Sequence, residues 1–300
     1  MRELHEALTK EFKDITVKTG DELIYLGINI TFDRKHRTVR LDQKDMVADL
    51  LKELKVTGAK PQPAAADLFD VPEHSKPVDS SAFASKVMKL MYISRLTRHD
   101  LLTLEAYLTT RLQRPTESDE KKLWRGLQYL NATKDKGVTL SAKSRRIHMW
   151  ADTSFATHQD AKSHTGCVIS LGPCGGPVYC RSVKQKPVSR SSTEAELIGL
   201  HDSLPQVLWL QQLMEDMGYK PETAVVYQDN KSTIMLAEKG KTNRGKSKYI
   251  ALRYFYAKEQ IETKKVKLEY LQSAKMLADY LTKPLMGSLH NELRDRLLNV

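Results

Sequence analysis

Four acids in the second half of the chain stand where strands end or helices turn. Asp152 closes the apolar run IHMWAD, Asp229 closes TAVVYQD, Glu196 lies inside the helical string SSTEAELIGL, and Asp279 lies in MLADYLTKPL. A single carboxylate at a strand end is commonly a solvated turn and nothing more. Four of them in one pocket suit a different task, the holding of Mg²⁺, a hard cation that takes oxygen ligands and keeps several waters that phosphate oxygens can replace. Two such ions about 4 Å apart can hold both the attacking and the leaving oxygen of a phosphodiester displacement. The chemistry of the chain therefore turns on whether folding brings positions 152, 196, 229 and 279 together.

The elements that must do this follow from the pattern over 147–285. Strand 147–151, strand GCVISLG and strand GPVYCRSVKQ, with glycines at the turns, read as an antiparallel meander. A long helix runs from about Ser192 to Met217, and Pro205 inside it predicts a kink or break, because proline removes a donor and crowds the preceding turn. Strand TAVVYQD, helix KSTIMLAE, a basic segment, helix YIALRYFYAKEQIE, strand VKLEYL and helix KMLADYL complete the order. Three hairpin strands followed by crossovers imply an α/β fold, a mixed five-stranded sheet flanked by helices. On this order Asp152 and Asp229 end the first and fourth strands, Glu196 faces out from the first turn of the long helix, and Asp279 lies near the start of the last helix.

Upstream, residues 1–57 show a helix, strand-like runs DELIYLGINITFD and RTVRLD, and helix QKDMVADLLKEL. Residues 58–80 carry Pro61, Pro63, Pro72 and Pro77 without periodicity and read as an extended connector. Helices follow over Ser80–Leu96, His99–Leu112 and Pro115–Leu130, making a smaller, mostly helical lobe that ends near Gly137 and the basic loop 142–146.

A chain of 300 residues has room for two lobes with separate cores. Its net charge of +11 is spread over both halves, which favours a polyanionic partner, nucleic acid first. Cys167, Cys174 and Cys180 fit neither a disulfide framework nor a paired zinc spacing and read as reduced thiols. No apolar run reaches the roughly 18 residues of a membrane span, and the N-terminus carries no signal-peptide pattern. The expectation is an intracellular protein, cytoplasmic or nuclear, with no membrane partner.

The strings WADTSF, KQKPVSRSSTEAELIGL, VVYQDNKSTIMLA and KLEYLQSAKMLADYLTKPL resemble the ribonuclease H domain of copia-type retrotransposon Pol polyproteins. ELIYLGINI followed by LDQKDMVADLL resembles the end of the reverse transcriptase palm and the start of its thumb, and residues 83–140 resemble the helical region that connects polymerase to ribonuclease H. The resemblance divides the chain into a palm remnant and thumb start (1–57), connector (58–80), thumb and connection (81–146), ribonuclease H domain (147–286) and C-terminal tail (287–300). The family's polymerase aspartates fall upstream of Met1, and no adjacent Asp-Asp pair occurs. DNA synthesis by this chain alone is not expected.

The resemblance implies hydrolysis of the RNA strand of an RNA–DNA hybrid with two Mg²⁺ ions, Mn²⁺ substituting. Asp152 would bridge the ions, Asp229 would hold the one that activates water, Asp279 would complete that site, and Glu196 would hold the other near a ribose 2′-hydroxyl. Glu196 is favoured over Glu194, which lies two residues away and points elsewhere on the helix. Further partners implied are the missing palm and fingers and other Pol or Gag products, in a retrotransposon particle. Lys184, Lys186, Arg190, Ser192, Thr193, Asn230, Lys246 and Lys248 are the candidate nucleic-acid contacts. One of the hydroxyls at the helix start is expected to cap it, and the others suit phosphate contact; the basic segment with Lys241, Arg244, Lys246 and Lys248 is either a solvated loop or a hybrid contact.

Trp124, Trp150 and Trp209 are expected in cores, His148 as structural, and His158 and His164 in a solvated turn. The chain departs from the family pattern at Ser154, where an acid is common, at Tyr249 and Ala251 in a KHID-like string, and in having no histidine between the last strand and Asp279. A catalytically silent nucleic-acid-binding remnant or a domesticated interaction protein is the alternative. An integrase-like order, with the glutamate last, does not fit.

Overall fold

The computed structural model describes residues 2–12, 15–141, 144–239 and 248–300. After the exposed helix α1 (Arg2–Glu11) come three antiparallel strands, β1 (Glu22–Tyr25), β2 (Ile28–Asp33) and β3 (Thr38–Asp42). The run expected as one strand over 21–33 is a hairpin. Tyr25 pairs with Ile28 across Leu26 and Gly27, whose φ values are 50° and 75°. Positive φ at both central residues is the turn that matches the twist of paired strands. A leucine is uncommon there, so the sequence carries no Asn-Gly signal; the Tyr92 hydroxyl donates to the Leu26 carbonyl at 2.7 Å and ties the turn down.

Helix α2 (Lys44–Glu53) buries Val47, Leu50 and Leu51. Helix α3 (Ser80–Leu96) starts at Asp79, whose carboxylate accepts from Ala82 N–H at 2.7 Å, relieving one of the unpaired first-turn donors. The helix expected over 99–112 opens as a 3-10 turn, His99–Leu101, before α4 (Leu102–Thr110). Buried Arg98 grips Asp100 with two hydrogen bonds of 2.9 and 2.7 Å there. Helix α5 (Glu117–Ala132) begins with a reciprocal cap between Thr116 and Asp119. The apolar faces of α2–α5, with Leu68 and Phe69 of the connector, share one core. A short strand that the sequence reading lacks, β4 (Val138–Ser141), pairs antiparallel with β3 and completes the sheet β1-β2-β3-β4.

The second half contains β5 (Ile147–Ser154), β6 (His164–Leu171), β7 (Pro177–Lys184), α6 (Ser192–Asp216), β8 (Ala224–Gln228), α7 (Lys231–Lys239), α8 (Lys248–Glu262), β9 (Val266–Tyr270) and α9 (Gly287–Leu298). The strand order is β7-β6-β5-β8-β9, antiparallel through β5–β6–β7 and parallel through β5–β8–β9. This is the mixed five-stranded α/β sheet that the sequence pattern implies. One face packs Met149, Ala151 and Val226 against Leu200, Leu204 and Val207 of α6; the other packs Trp150 and Val168 against Leu277, Leu281, Leu293 and Leu297.

Four expectations change. The break allowed for at Pro205 does not occur: α6 continues through it, and the ring is exposed, so water can serve the carbonyl that the missing N–H leaves. The segment KMLADYL forms 3-10 turns, Ser273–Lys275 and Leu277–Leu281, not an α-helix. Residues read as a tail form α9, which buries His290, Leu293, Leu297 and Leu298. Trp209 is not in a core but 60% exposed, whereas Trp150 is buried and Trp124 packs partly buried on the helical core.

The two lobes share contacts. The Thr103 hydroxyl of α4 donates to the Tyr280 carbonyl at 2.8 Å, and Asn299 Nδ2 after α9 donates to the Thr139 carbonyl of β4 at 2.8 Å. No helix among the described residues is long and apolar enough to cross a membrane.

Candidate active site

The carboxylates meet at one end of the five-stranded sheet because three elements end or begin there. Asp152 lies near the end of β5, opposite Gly166 of β6. Glu196 is in the second turn of α6, whose start is fixed by Ser191 accepting from Glu194 N–H at 3.2 Å. Asp229 follows β8 directly. Two glycines permit the closeness. A Cβ on Gly199 of α6 would lie 2.5 Å from Thr153 Oγ1, so only glycine lets α6 sit this near β5. A Cβ on Gly166 would lie 2.6 Å from the Ala278 carbonyl, so the 277–281 turn can rest on β6.

Ligand atoms of Asp152, Glu196 and Asp229 all lie within 4.8 Å of one another. Asp279 is not one of these three, but it is close enough for its charge to act on Asp152. Asp152 and Glu196 are buried, at 6% and 4% exposure. Burial first, then repulsion from Asp279 and Asp229, pushes the Asp152 carboxyl up to about 7, against the lowering effect of a Thr282 hydrogen bond. Burial and the charges of Asp152 and Asp229 push Glu196 well above the usual carboxylate range. A group of acids that cannot all ionise together in the dry site is one that a divalent cation would relieve, and its donors are all oxygen, as hard cations require. The residues present fit such an ion.

Partners that the sequence reading missed orient these acids. Thr282 Oγ1 donates to Asp152 Oδ2 at 2.6 Å, and Ser273 Oγ donates to Asp229 Oδ2 at 2.7 Å. The Gln228 side chain bridges two ligands: its amide donates to Glu196 Oε2 at 3.3 Å while its carbonyl accepts from Asp229 N–H at 2.8 Å. Lys283 Nζ lies 2.7 Å from Asp279 Oδ2. Residues in the strings around the acids, such as LTKPL and YQDN, carried this signal without revealing it.

Glu194 stands apart from the cluster, its Oε2 accepting from Arg190 N–H at 3.2 Å. Of the candidate nucleic-acid contacts, Lys186, Arg190 and Ser192 are exposed and Thr193 half-buried. Lys184 is ion-paired with Asp160 at 2.9 Å, and the Asn230 side chain accepts from Thr233 N–H at 3.1 Å as the cap of α7. Lys241, Arg244 and Lys246 lie outside the described residues, as do the side chains of Lys248, Tyr249 and Ala251. His148 bonds the Tyr227 hydroxyl at 3.1 Å.

His158 and His164 are not in a solvated turn; both are buried. His158 Nε2 lies 3.0 Å from His164 Nδ1, and His164 Nε2 lies 2.7 Å from Ser182 Oγ, which donates to the Leu281 carbonyl at 2.7 Å. With the serine proton committed, His164 must donate from Nε2 and accept at Nδ1 from His158. Burial pushes His158 down to about 4 and His164 down to about 3, and Phe69 packs its ring against both, 4.8 and 5.2 Å away. Cys167, Cys174 and Cys180 are all free.

No family model matches the chain. The retrovirus-related Pol polyprotein from transposon RE1 of Arabidopsis thaliana is 28% identical over 288 residues, covering 94% of this chain and 19% of that protein. The corresponding polyprotein from transposon RE2 of the same plant is 29% identical over 286 residues, covering 93% and 19%. Its homologues are copia-type Pol polyproteins. The chain spans about a fifth of the length of these relatives. A solved ribonuclease H1 isolated from compost by a metagenomic approach aligns over 51% of this chain and 99% of its own, with 14% identity and a TM-score of 0.35.

Proposed function

We propose that this part of a copia-type Pol polyprotein is a divalent-metal-dependent ribonuclease H that hydrolyses the RNA strand of RNA–DNA hybrids. The convergence of Asp152, Glu196 and Asp229 within 4.8 Å at the sheet end carries the reading. On it, Asp152, Glu196, Asp229 and Asp279 would hold a pair of Mg²⁺ ions. Such ions, when bound, lower the pKa of an attacking water and offset charge on the leaving 3′-oxygen. The chain's own part is placement. Thr282 fixes the Asp152 carboxylate, Ser273 that of Asp229, and Gln228 sets the spacing of Glu196 and Asp229. Burial of Asp152 and Glu196 keeps bulk water from screening them, so they act on charge with little reorganisation. Glu196 would lie near a ribose 2′-hydroxyl, the group that marks RNA.

Lys186, Arg190, Ser192 and Thr193, at and before the start of α6, would meet backbone phosphates, with Lys184, Asn230, Lys246 and Lys248 as further contacts. Affinity for the hybrid would then fall as salt rises. Residues 1–57, 58–80 and 81–146 would be the palm remnant, connector and thumb–connection region of the polyprotein's reverse transcriptase, and the remaining polymerase segments would be its partners.

The test is cleavage of a labelled RNA–DNA hybrid with Mg²⁺. The parent should cleave the RNA strand, leaving 5′-phosphate and 3′-hydroxyl ends, and Asp229→Asn should abolish cleavage while melting within a few degrees of the parent. Equal rates for the two proteins would end the assignment. Hybrid binding without cleavage by the parent would favour the silent nucleic-acid-binding remnant instead.

A further inference from the structure

Lys283 stands against the crowded carboxylates of the site. Its Nζ lies 2.7 Å from Asp279 Oδ2, and the two residues are held on one short turn, with Lys283 N–H donating to the Asp279 carbonyl at 3.3 Å. The pair is therefore enforced locally and does not wait on the packing of a distant element. Asp279 is 9% exposed and Lys283 44%, so the carboxylate is fixed while the lysine head can leave toward solvent along its flexible stem.

We infer that Lys283 is a resident counter-cation of the carboxylate cluster, holding Asp279 while no divalent ion is bound and competing with such an ion for that carboxylate. The inference rests on the metal-binding reading above. It assigns a role to a residue in which neither the spacing of the acids nor the ligand set involves the lysine. The physical reason is local electroneutrality: Asp152, Glu196, Asp229 and Asp279 repel one another at short range, and one ammonium neutralises part of that charge without filling the space between the ligands. A divalent ion supplies more charge at the same place, so the lysine must give way as the ion enters. The device sets a lower metal affinity than the four acids alone would give, while keeping the metal-free site folded.

Two measurements on the full chain test this, with Mg²⁺ alone as the probe. Titration calorimetry should show Lys283→Met binding Mg²⁺ tighter than the parent by on the order of tenfold, since one positive charge has been removed from beside the ligands. Melting in EDTA should show the same variant unfolding a few degrees below the parent, and Lys283→Arg should match the parent in both. In an Asp279→Asn background, Lys283→Met should no longer lower the metal-free melting temperature, which separates charge pairing from general damage. Parental Mg²⁺ affinity in Lys283→Met overturns the competition, and an unchanged metal-free melting temperature overturns the counter-cation role. A parent chain that binds no Mg²⁺ instead removes the ribonuclease reading and the competition with it.

Discussion

At Asp152 burial and neighbouring charge work against ionisation together. Its folded pKa of about 7 lies above the ordinary 3.8, so between about pH 4 and 7 the native state keeps a proton that the unfolded chain has released. Stability from this group is present at low pH and is lost as pH rises through that window. Asp152→Asn keeps an acceptor for the Thr282 hydroxyl and removes the charge. In EDTA at pH 8 it should be more stable than the parent by on the order of 1–3 kcal/mol, with the gap closing toward pH 4. Thermal melts at the two pH values check this; a parent more stable than the variant at pH 8 contradicts the crowding argument. The same variant should bind Mg²⁺ far more weakly, the usual opposition between stability and function at a charged site. Asp152, Glu196 and Asp229 were legible as residues, because each ends or enters a strongly patterned element. Their orienting partners were not. Thr282, Ser273 and Gln228 are ordinary polar residues in sequence, and only the folded chain shows which carboxylate each one touches.

At the scale of elements, the site depends on how closely α6 approaches β5. Gly199 lies three residues beyond Glu196, and a methyl group there would sit 2.5 Å from Thr153 Oγ1. Gly199→Ala should push the helix outward, costing about 1–3 kcal/mol and weakening Mg²⁺ binding because Glu196 moves with the helix. A variant that retains parental melting and parental Mg²⁺ affinity would show that the helix position is not set here. The elements that the sequence made legible are those with a clear period: the β5–β6–β7 meander, α6, β8 and β9. Those it hid have local rules weaker than tertiary ones. The β1–β2 turn places Leu26 at a positive φ that leucine seldom takes, stabilised by Tyr92 from α3. Strand β4 has four residues and exists only because β3 offers an edge. The 277–281 turn stays 3-10 while resting on Gly166 and receiving the Thr103 and Ser182 hydrogen bonds. Pro205 was read for its effect on the backbone, and its place on the solvent side of α6 was decided by packing elsewhere.

The whole molecule is joined where Phe69 of the connector covers the His158–His164 pair of the second lobe. Both imidazoles are neutral in the fold, with pKa values near 4 and 3 against an ordinary 6.5. The unfolded chain binds protons that the native state refuses, so the stability from this junction is complete above about pH 6.5 and falls as pH drops toward 4. Each histidine can add a slope of about 1.4 kcal/mol per pH unit in that window. The site carboxylates act with the opposite sign there, so the comparison must be between variants. His158→Gln keeps a donor for His164 Nδ1 and removes one titrating group. Its melting temperature should fall less steeply than the parent's between pH 6.5 and 5; parallel curves would show that His158 takes its proton without cost.

The pairing of β3 with β4 has a consequence for how the chain is made. Thr38 bonds opposite Ser141 and Leu41 opposite Val138, so the ladder closes a loop of about a hundred residues, a contact of the kind that forms slowly. During synthesis β3 leaves the ribosome long before its second neighbour exists. Until then it offers an unsatisfied edge to any other strand nearby. A ribosome that stalls before residue 138 leaves a nascent chain with this edge open.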